Sequence, residues 1–205
     1  VNKIRLTGGE PLIKKDAPNI IRQLGALPVE LTLTTNAVNA DSFIFVFKEA
    51  GITVIHVVSS TKFALKAQVA GVDAIVAEGF EAGGHNGREE TTTFTLIPMV
   101  KEAIHIPIIA AGGIATGKGM MAAMVLGANG VQIGSRFVAS KESSAHINFK
   151  QKVIDAKEGD TLLTLKDLTP VRLLKNEFFF QLEKAYEECA KSDQILELLG
   201  RGRAK

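Results

Sequence analysis

Ile106-Pro-Ile-Ile-Ala-Ala-Gly-Gly-Ile114 points to an α/β fold built from strand–helix units. A β-branched, apolar run passes straight into Gly112-Gly113, and a helical pattern follows from Gly117. A buried strand, a glycine joint and a helix, in that order, form one strand–helix unit. The next unit repeats the arrangement, with Gly130-Val-Gln-Ile-Gly134 running into Gly134-Ser135-Arg136-Phe137 before another helix. Working outward, strands are expected at Lys3 to Leu6, Glu30 to Thr34, Thr53 to Val58 and Ala74 to Ala77, which with Ile106 to Ala110 and Gly130 to Ile133 make about six units. The runs are apolar rather than alternating, as in strands covered on both faces, so the sheet is expected to be parallel. Such repeats build either a (β/α) barrel or a doubly wound sheet, both α/β folds.

The intervening helices have recognisable ends. Asp16 can cap a helix with Pro18 in its first turn, Asp41 can cap the run to Ala50, and Ser60 can cap Thr61 to Ala70. Gly51 and Gly71 stand where a helix leaves through a left-handed residue. After Pro170 the pattern reads as helices alone, Glu177 to Ala190 and Asp193 to Leu199. The expected organisation is a barrel-like domain over 1–169 and a helical tail over 170–205.

The 205 residues are 46% hydrophobic and 22% charged, which suits one globular domain and excludes a disordered chain, collagen or a coiled coil. Lys and Arg number 24 against 22 Asp and Glu, a net charge of +2, too balanced for an electrostatic nucleic-acid or acidic-lipid binder despite Arg201, Arg203 and Lys205 at the end. The single cysteine, Cys189, excludes an internal disulfide and an iron–sulfur cluster held by this chain alone. No apolar run approaches the roughly 18 residues of a membrane helix, and a cytoplasmic location with a small-molecule partner is expected.

Two successive glycine joints suit an anion. Backbone N–H groups can approach a ligand where side chains are absent, and a following helix N-terminus favours negative charge by about 0.3–1 kcal/mol. In barrels, phosphates bind at the loops after the last two strands, and these joints follow the last two strands here. A second glycine-rich loop, Glu78-Gly-Phe-Glu-Ala-Gly-Gly-His-Asn-Gly87, follows the strand from Ala74. It places His85 at the ligand-binding end of an α/β sheet, where an imidazole can exchange a proton near neutral pH. His85 therefore serves as acid or base, or holds its own glycine-rich turn. His56 in a strand, His105 before Pro107 and His146 in a helical run read as structural. Glu78 and Glu81 could serve as acids, although carboxylates in a loop are most often solvated.

From about Phe47 to Phe179 the chain resembles the flavin-dependent family of bacterial nitronate monooxygenases (2-nitropropane dioxygenases) and enoyl-acyl-carrier-protein reductase II. The resemblance rests on Gly71 to His85, Ile108 to Ile114, Gly127-Ala-Asn-Gly-Val-Gln-Ile-Gly-Ser-Arg-Phe137 and Ala139-Ser-Lys-Glu-Ser-Ser-Ala-His146, in order along the chain. It implies a TIM barrel, with Gly112, Gly113, Gly134 and Ser135 at the FMN phosphate. It also implies Gly83 and Gly84 near the isoalloxazine, Gln132 lining the pocket, and His85 as the active-site histidine. Several nitronate monooxygenases carry a lysine near the flavin where this chain has Val57, which shifts the resemblance toward the reductase branch.

Residues 1–36 differ. Ile4-Arg-Leu-Thr-Gly-Gly-Glu-Pro-Leu12, with Asp16 and Leu31-Thr-Leu-Thr-Thr-Asn36, resembles the radical-SAM GTP cyclase of molybdenum-cofactor synthesis, where Gly8, Gly9 and Glu10 would hold S-adenosylmethionine. Without the three cysteines no radical chemistry can start. The expectation is a hybrid joined between Asn36 and Phe47, with a radical-SAM-like segment over 1–40 and a flavin-oxidoreductase-like segment over 47–169. Three functions follow: FMN-dependent oxidation of alkyl nitronates with O2; FMN- and NAD(P)H-dependent reduction of an enoyl thioester; or a partial barrel that binds FMN or phosphate without turnover. Exposed strand edges in a partial barrel would favour a homo-oligomer.

Overall fold

The structure, a computed structural model, describes residues 1–6, 10–36 and 40–200, with backbone alone at 40 and 41. Chain order runs β1 (Lys3–Leu6), a 3-10 turn (Pro11–Ile13), α1 (Ala17–Gly25), β2 (Glu30–Leu33), α2 (Ala40–Glu49), β3 (Ile55–Val58), α3 (Thr61–Ala70) and β4 (Ala74–Glu78). Then come β5 (Gly84–His85), α4 (Thr93–Ala103), β6 (Ile108–Ala111), α5 (Gly117–Val125), β7 (Gly130–Gln132), α6 (Ser135–Val138) and α7 (Ile147–Asp155). The hairpin β8 (Thr161–Thr164) and β9 (Val171–Leu174) and the helices α8 (Glu177–Glu187) and α9 (Ser192–Leu199) complete it.

All six expected strands form, each parallel to its neighbours. They fall into a pair, β1-β2, and a four-stranded sheet in the order β3-β4-β6-β7, with no ladder between β2 and β3 among the described residues. The four-stranded sheet has two different faces. Val58, Ile75, Ala77, Ile108 and Ala110 point to the helices and pack with Ala64, Ala67, Leu96, Ile97, Val100 and Ala123 in the main core. Alanines on both sides of this contact let α3, α4 and α5 lie close to the strands. Side chains alternate along a strand, so the opposite face carries Ile55, Val57, Val76 and Ile109. Val76, in the middle, is 3% exposed, whereas Ile55 and Val57 on the outer strand are 51% and 49% exposed. That face is the one a barrel turns toward its own axis.

The β1-β2 pair packs against α1 and α2 through Leu12, Ile21, Leu31, Val46 and Phe47, and Val54 touches both this cluster and the main core. Ser60 caps α3 by accepting the Phe63 N–H, and Gly71 ends it at φ +92°. Pro18 lies in the first turn of α1, but Asp16 accepts from the side-chain amide of Asn19 rather than from the helix backbone. The Asp41 side chain, Gly8, Gly9 and the basic end at 201–205 lie outside the described residues.

The C-terminal tail is helical from Glu177 onward but begins with a strand. Residues 170–205 are not helices alone: Val171–Leu174 is a strand, paired antiparallel on one side with β8 and on the other with β5. The 169/170 boundary thus falls inside a hairpin. The physical reason is distance along the chain, because a four-residue strand is specified by its partners, and one of them is Gly84–His85. The two tail helices do form, and Leu165, Val171, Leu182 and Ile195 join them to the hairpin in a separate core.

Candidate functional site

Parallel register places the carboxyl ends of β3, β4, β6 and β7 on one edge. Val58 pairs with Ala77, Glu78 with Ala111, and Ala111 with Gln132. The next residues out are Ser59, Gly79, Gly112 and Ile133, so the loops after four strands open side by side. Paired residues share a face, so Glu78, Ala111 and Gln132 form the top row on the axis-facing side. Gln132 is exposed there. Burial pushes the Glu78 carboxyl above the ordinary carboxylate range, and no bonding partner faces it among the described residues.

The turn after β6 is tightly enclosed. Gly112 has φ +98°, and a Cβ built on it would lie 2.7 Å from the Gly79 carbonyl oxygen and 2.8 Å from Thr93 Oγ1. Thr93 is the first residue of α4 and is 8% exposed. Its hydroxyl lies 2.9 Å from Glu81 Oε2, 2.9 Å from the Gly112 carbonyl and 3.2 Å from the Ala111 carbonyl. With one proton it serves one of these acceptors at a time. The Glu81 carboxylate also accepts the Thr93 N–H through both oxygens, at 3.1 and 3.0 Å. Glu81 is therefore not a solvated acid: its charge sits on the N-terminus of α4, where the helix dipole favours it.

The turn after β7 is open. Gly134 has φ −95° and nothing within 4 Å of a built Cβ, and Gly134 and Ser135 are exposed. Gly113, at φ +66°, is exposed as well, with the Glu81 Cβ 3.3 Å from its built Cβ. Adjacent strands stand about 4.8 Å apart, so the two turns are neighbours. Among the described residues no acceptor meets the N–H of Gly113 or of Gly134. The structure thus brings Gly112, Gly113, Gln132, Gly134 and Ser135 to one edge.

Gly84 and His85 belong to a different sheet, and Gly83 lies in the bend just before them. Gly84 and His85 form β5, opposite Arg172 and Val171 of β9, and His85 is exposed. Asn86 closes this turn, its side-chain amide donating to the carbonyls of Ala82 and Gly84 at 2.9 and 3.0 Å. Buried side-chain oxygens without partners among the described residues are Thr61 Oγ1 and Asn86 Oδ1, in the segments following β3 and β4. His56 lies half-buried in β3, and desolvation lowers its pKa. His146 caps α7 through Nδ1, accepting from Asn148 N–H at 3.2 Å, rather than lying inside the helix. Thr93 and Arg172 escaped the sequence reading, since nothing near them in the chain signals the glycine turns they hold.

At the N-terminal end, Glu10 Oε1 accepts from Leu12 N–H at 2.9 Å and from Thr35 Oγ1, and Oε2 from Asn36 N–H at 2.6 Å. Desolvation pushes its carboxyl up, but these three bonds outweigh it and hold the pKa below the usual range. The carboxylate that would meet the amine of S-adenosylmethionine is thus engaged by its own chain. Among the described residues no cluster of His, Cys, Asp or Glu is arranged to hold a metal, and no helix is long and apolar enough to cross a membrane.

Fold and edge together define a protein of the (β/α)-barrel class, a class whose ligand sites lie at the carboxyl ends of the strands. The chain belongs to the nitronate monooxygenase family, whose profile matches residues 11–205. That match takes in residues 11–46, which the motifs alone had left outside. A probable nitronate monooxygenase of Staphylococcus saprophyticus is 35% identical over 184 residues, covering 85% of this chain and 51% of the relative. FabK from Thermotoga maritima superposes with TM-score 0.74 at 40% identity, over 91% of this chain and 57% of FabK. A nitroalkane oxidase from Streptomyces ansochromogenes superposes with TM-score 0.67 at 28% identity, over 89% of this chain and 55% of that one. The chain spans about half or less of the length of the curated relatives it matches.

Proposed function

We propose that this chain is the phosphate-holding part of an FMN-dependent oxidoreductase that oxidises alkyl nitronates with O2. The observation that carries the reading is the pair of neighbouring turns, Gly113 and Gly134, whose exposed N–H groups have no acceptor among the described residues. FMN fits these residues. An anion needs unpaired donors and room to approach, and Gly134 offers open space where a side chain would stand. The carboxylate beside Gly113, Glu81, accepts from the N-terminus of α4, which offsets part of its repulsion of a phosphate. Gly113, Gly134 and Ser135 would hold the phosphate, Gly112 would shape the turn, and Gln132 would face the ring from the axis-facing row, with Gly83 and Gly84 near it. When bound, FMN supplies the electron transfer. His85 would hold or accept a proton at an imidazole nitrogen beside the substrate.

A second reading, an FMN- and NAD(P)H-dependent enoyl-thioester reductase, is favoured by Val57 on the axis-facing side and fits the 40% identity with FabK. For residues 11–36, the family match from residue 11 supports a single lineage over the hybrid reading.

Titration with FMN, followed by quenching of flavin fluorescence, tests the phosphate site. Oxygen uptake with propyl-2-nitronate and NADH oxidation with an enoyl thioester then test the two activities. Saturable quenching with oxygen uptake is expected. Quenching without either turnover leaves a binding segment, and no quenching ends the flavin reading.

A further inference from the structure

The reading above gives no role to the β8-β9 hairpin, yet this hairpin holds the loop that carries His85. The segment between β4 and α4 contains Gly79, Gly83, Gly84 and Gly87, and so many glycines leave a loop with much conformational freedom to lose. Glu81 anchors its first part to α4. Beyond that point Asn86 closes the turn on the loop's own carbonyls and Gly87 packs against Ser59, while the hydrogen bonds to another element come from the hairpin. The backbone of β9 pairs with Gly84 and His85, and Asn86 N–H donates to the Pro170 carbonyl at 2.8 Å.

Arg172 makes a second kind of contact from the same strand. Its Nε donates to the Phe80 carbonyl at 3.1 Å, its guanidinium stands 5.2 Å from the centre of the Phe80 ring, and its Nη1 donates to Thr161 Oγ1 at 3.3 Å. Phe80 lies near the root of the loop, whereas Gly84, opposite Arg172 in the ladder, lies near its tip. One residue therefore grips both: its side chain holds the root and its backbone faces the tip. Gly84, at φ +91°, adopts a backbone conformation that few other residues reach. Two flanking contacts brace the assembly, Arg88 to the Leu168 carbonyl at 2.7 Å and Lys166 to Glu90 at 2.6 Å.

We propose that Arg172 is a positioning residue for His85, locking the histidine loop to the β8-β9 hairpin through Phe80. The proposal rests on the reading of His85 as the residue that meets substrate. A planar guanidinium both donates from Nε and lies over a ring, and an ammonium reproduces neither geometry. Misplacement of a reacting group by about 1 Å lowers turnover up to about a hundredfold while leaving distant binding contacts intact.

The test compares the wild-type chain with Arg172→Ala and Arg172→Lys, using amide hydrogen exchange at Asn86, FMN affinity, and kcat and KM with propyl-2-nitronate or the enoyl thioester. Exchange at Asn86 is expected to quicken about tenfold in both variants, as a locally released segment does. FMN affinity, set mainly by the phosphate turns after β6 and β7, should change by no more than about twofold, while kcat falls about tenfold. Unchanged exchange at Asn86 in a folded Arg172→Lys protein overturns the clamp, and faster exchange with unchanged kcat overturns its role in positioning. If Arg172→Ala fails to fold, Arg172→Lys decides alone. A wild-type chain with no turnover defeats the functional reading and the positioning role that rests on it, while exchange at Asn86 still decides whether the clamp exists.

Discussion

The turns after β6 and β7 stand side by side, both are built on glycine, and they are constrained in opposite ways. Gly112 is closed in by the Gly79 carbonyl and the Thr93 hydroxyl at a φ that side chains rarely adopt, whereas Gly134 has an ordinary φ and nothing around it. The first glycine is required by the protein's own packing. The second is not, and the phosphate proposed for this turn would use the space that its missing side chain leaves open. Glycine in a motif is thus two different statements, and only the neighbours tell them apart.

Gly112→Ala is expected to have the largest effect, since the added methyl meets backbone at 2.7 Å and the backbone is strained as well. A stability loss of about 3 kcal/mol or more follows, measured by urea denaturation. Gly134→Ala should leave stability within about 0.5 kcal/mol of wild type. The same variant should weaken FMN binding about tenfold, because the methyl enters the space the phosphate would use. If the two variants lose similar stability, the contrast between the turns collapses. If Gly134→Ala binds FMN as wild type does, the phosphate lies elsewhere.

Thr93→Val keeps the shape of the enclosed turn but removes its hydroxyl. A loss of about 1–2 kcal/mol is expected, read as a lower denaturation midpoint, with the Gly134 turn unaffected. The smallest effect concerns Glu78, on the row beneath both turns. Its raised pKa means that the folded state binds a proton more tightly than the unfolded state does. Stability should therefore fall as pH rises from the ordinary carboxylate range through the raised value, and level off above it. Glu78→Gln removes that loss, so the variant should gain in thermal midpoint over wild type at pH 8 and the gain should vanish at pH 4. A gain of equal size at both pH values would show that burial of the charge is not its cause.

Much of the four-stranded sheet was legible because its strands are short, mostly apolar runs, three of which lead into a glycine turn, a local signal. The ends of α3 were legible for the same reason, since Ser60 and Gly71 act within their own turn. Val171–Leu174 was read as part of a helical tail because its pairing partner Gly84–His85 carries two residues with no strand preference, far away in sequence. Glu81 was misread as solvated because its true partner, Thr93, lies on the next helix. His85 could be singled out from its glycines, yet its attachment to β9 could not.

The strand–helix rhythm, the two glycine joints and the histidine loop are written locally in the chain, since periodicity, capping and backbone freedom act over a few residues. Tertiary structure alone decided which glycine is packed and which is open, which carboxylate is engaged by a helix, and which strand holds His85. Those outcomes depend on distances between residues remote in the chain, and such distances exist only once the sheet and its helices have come together.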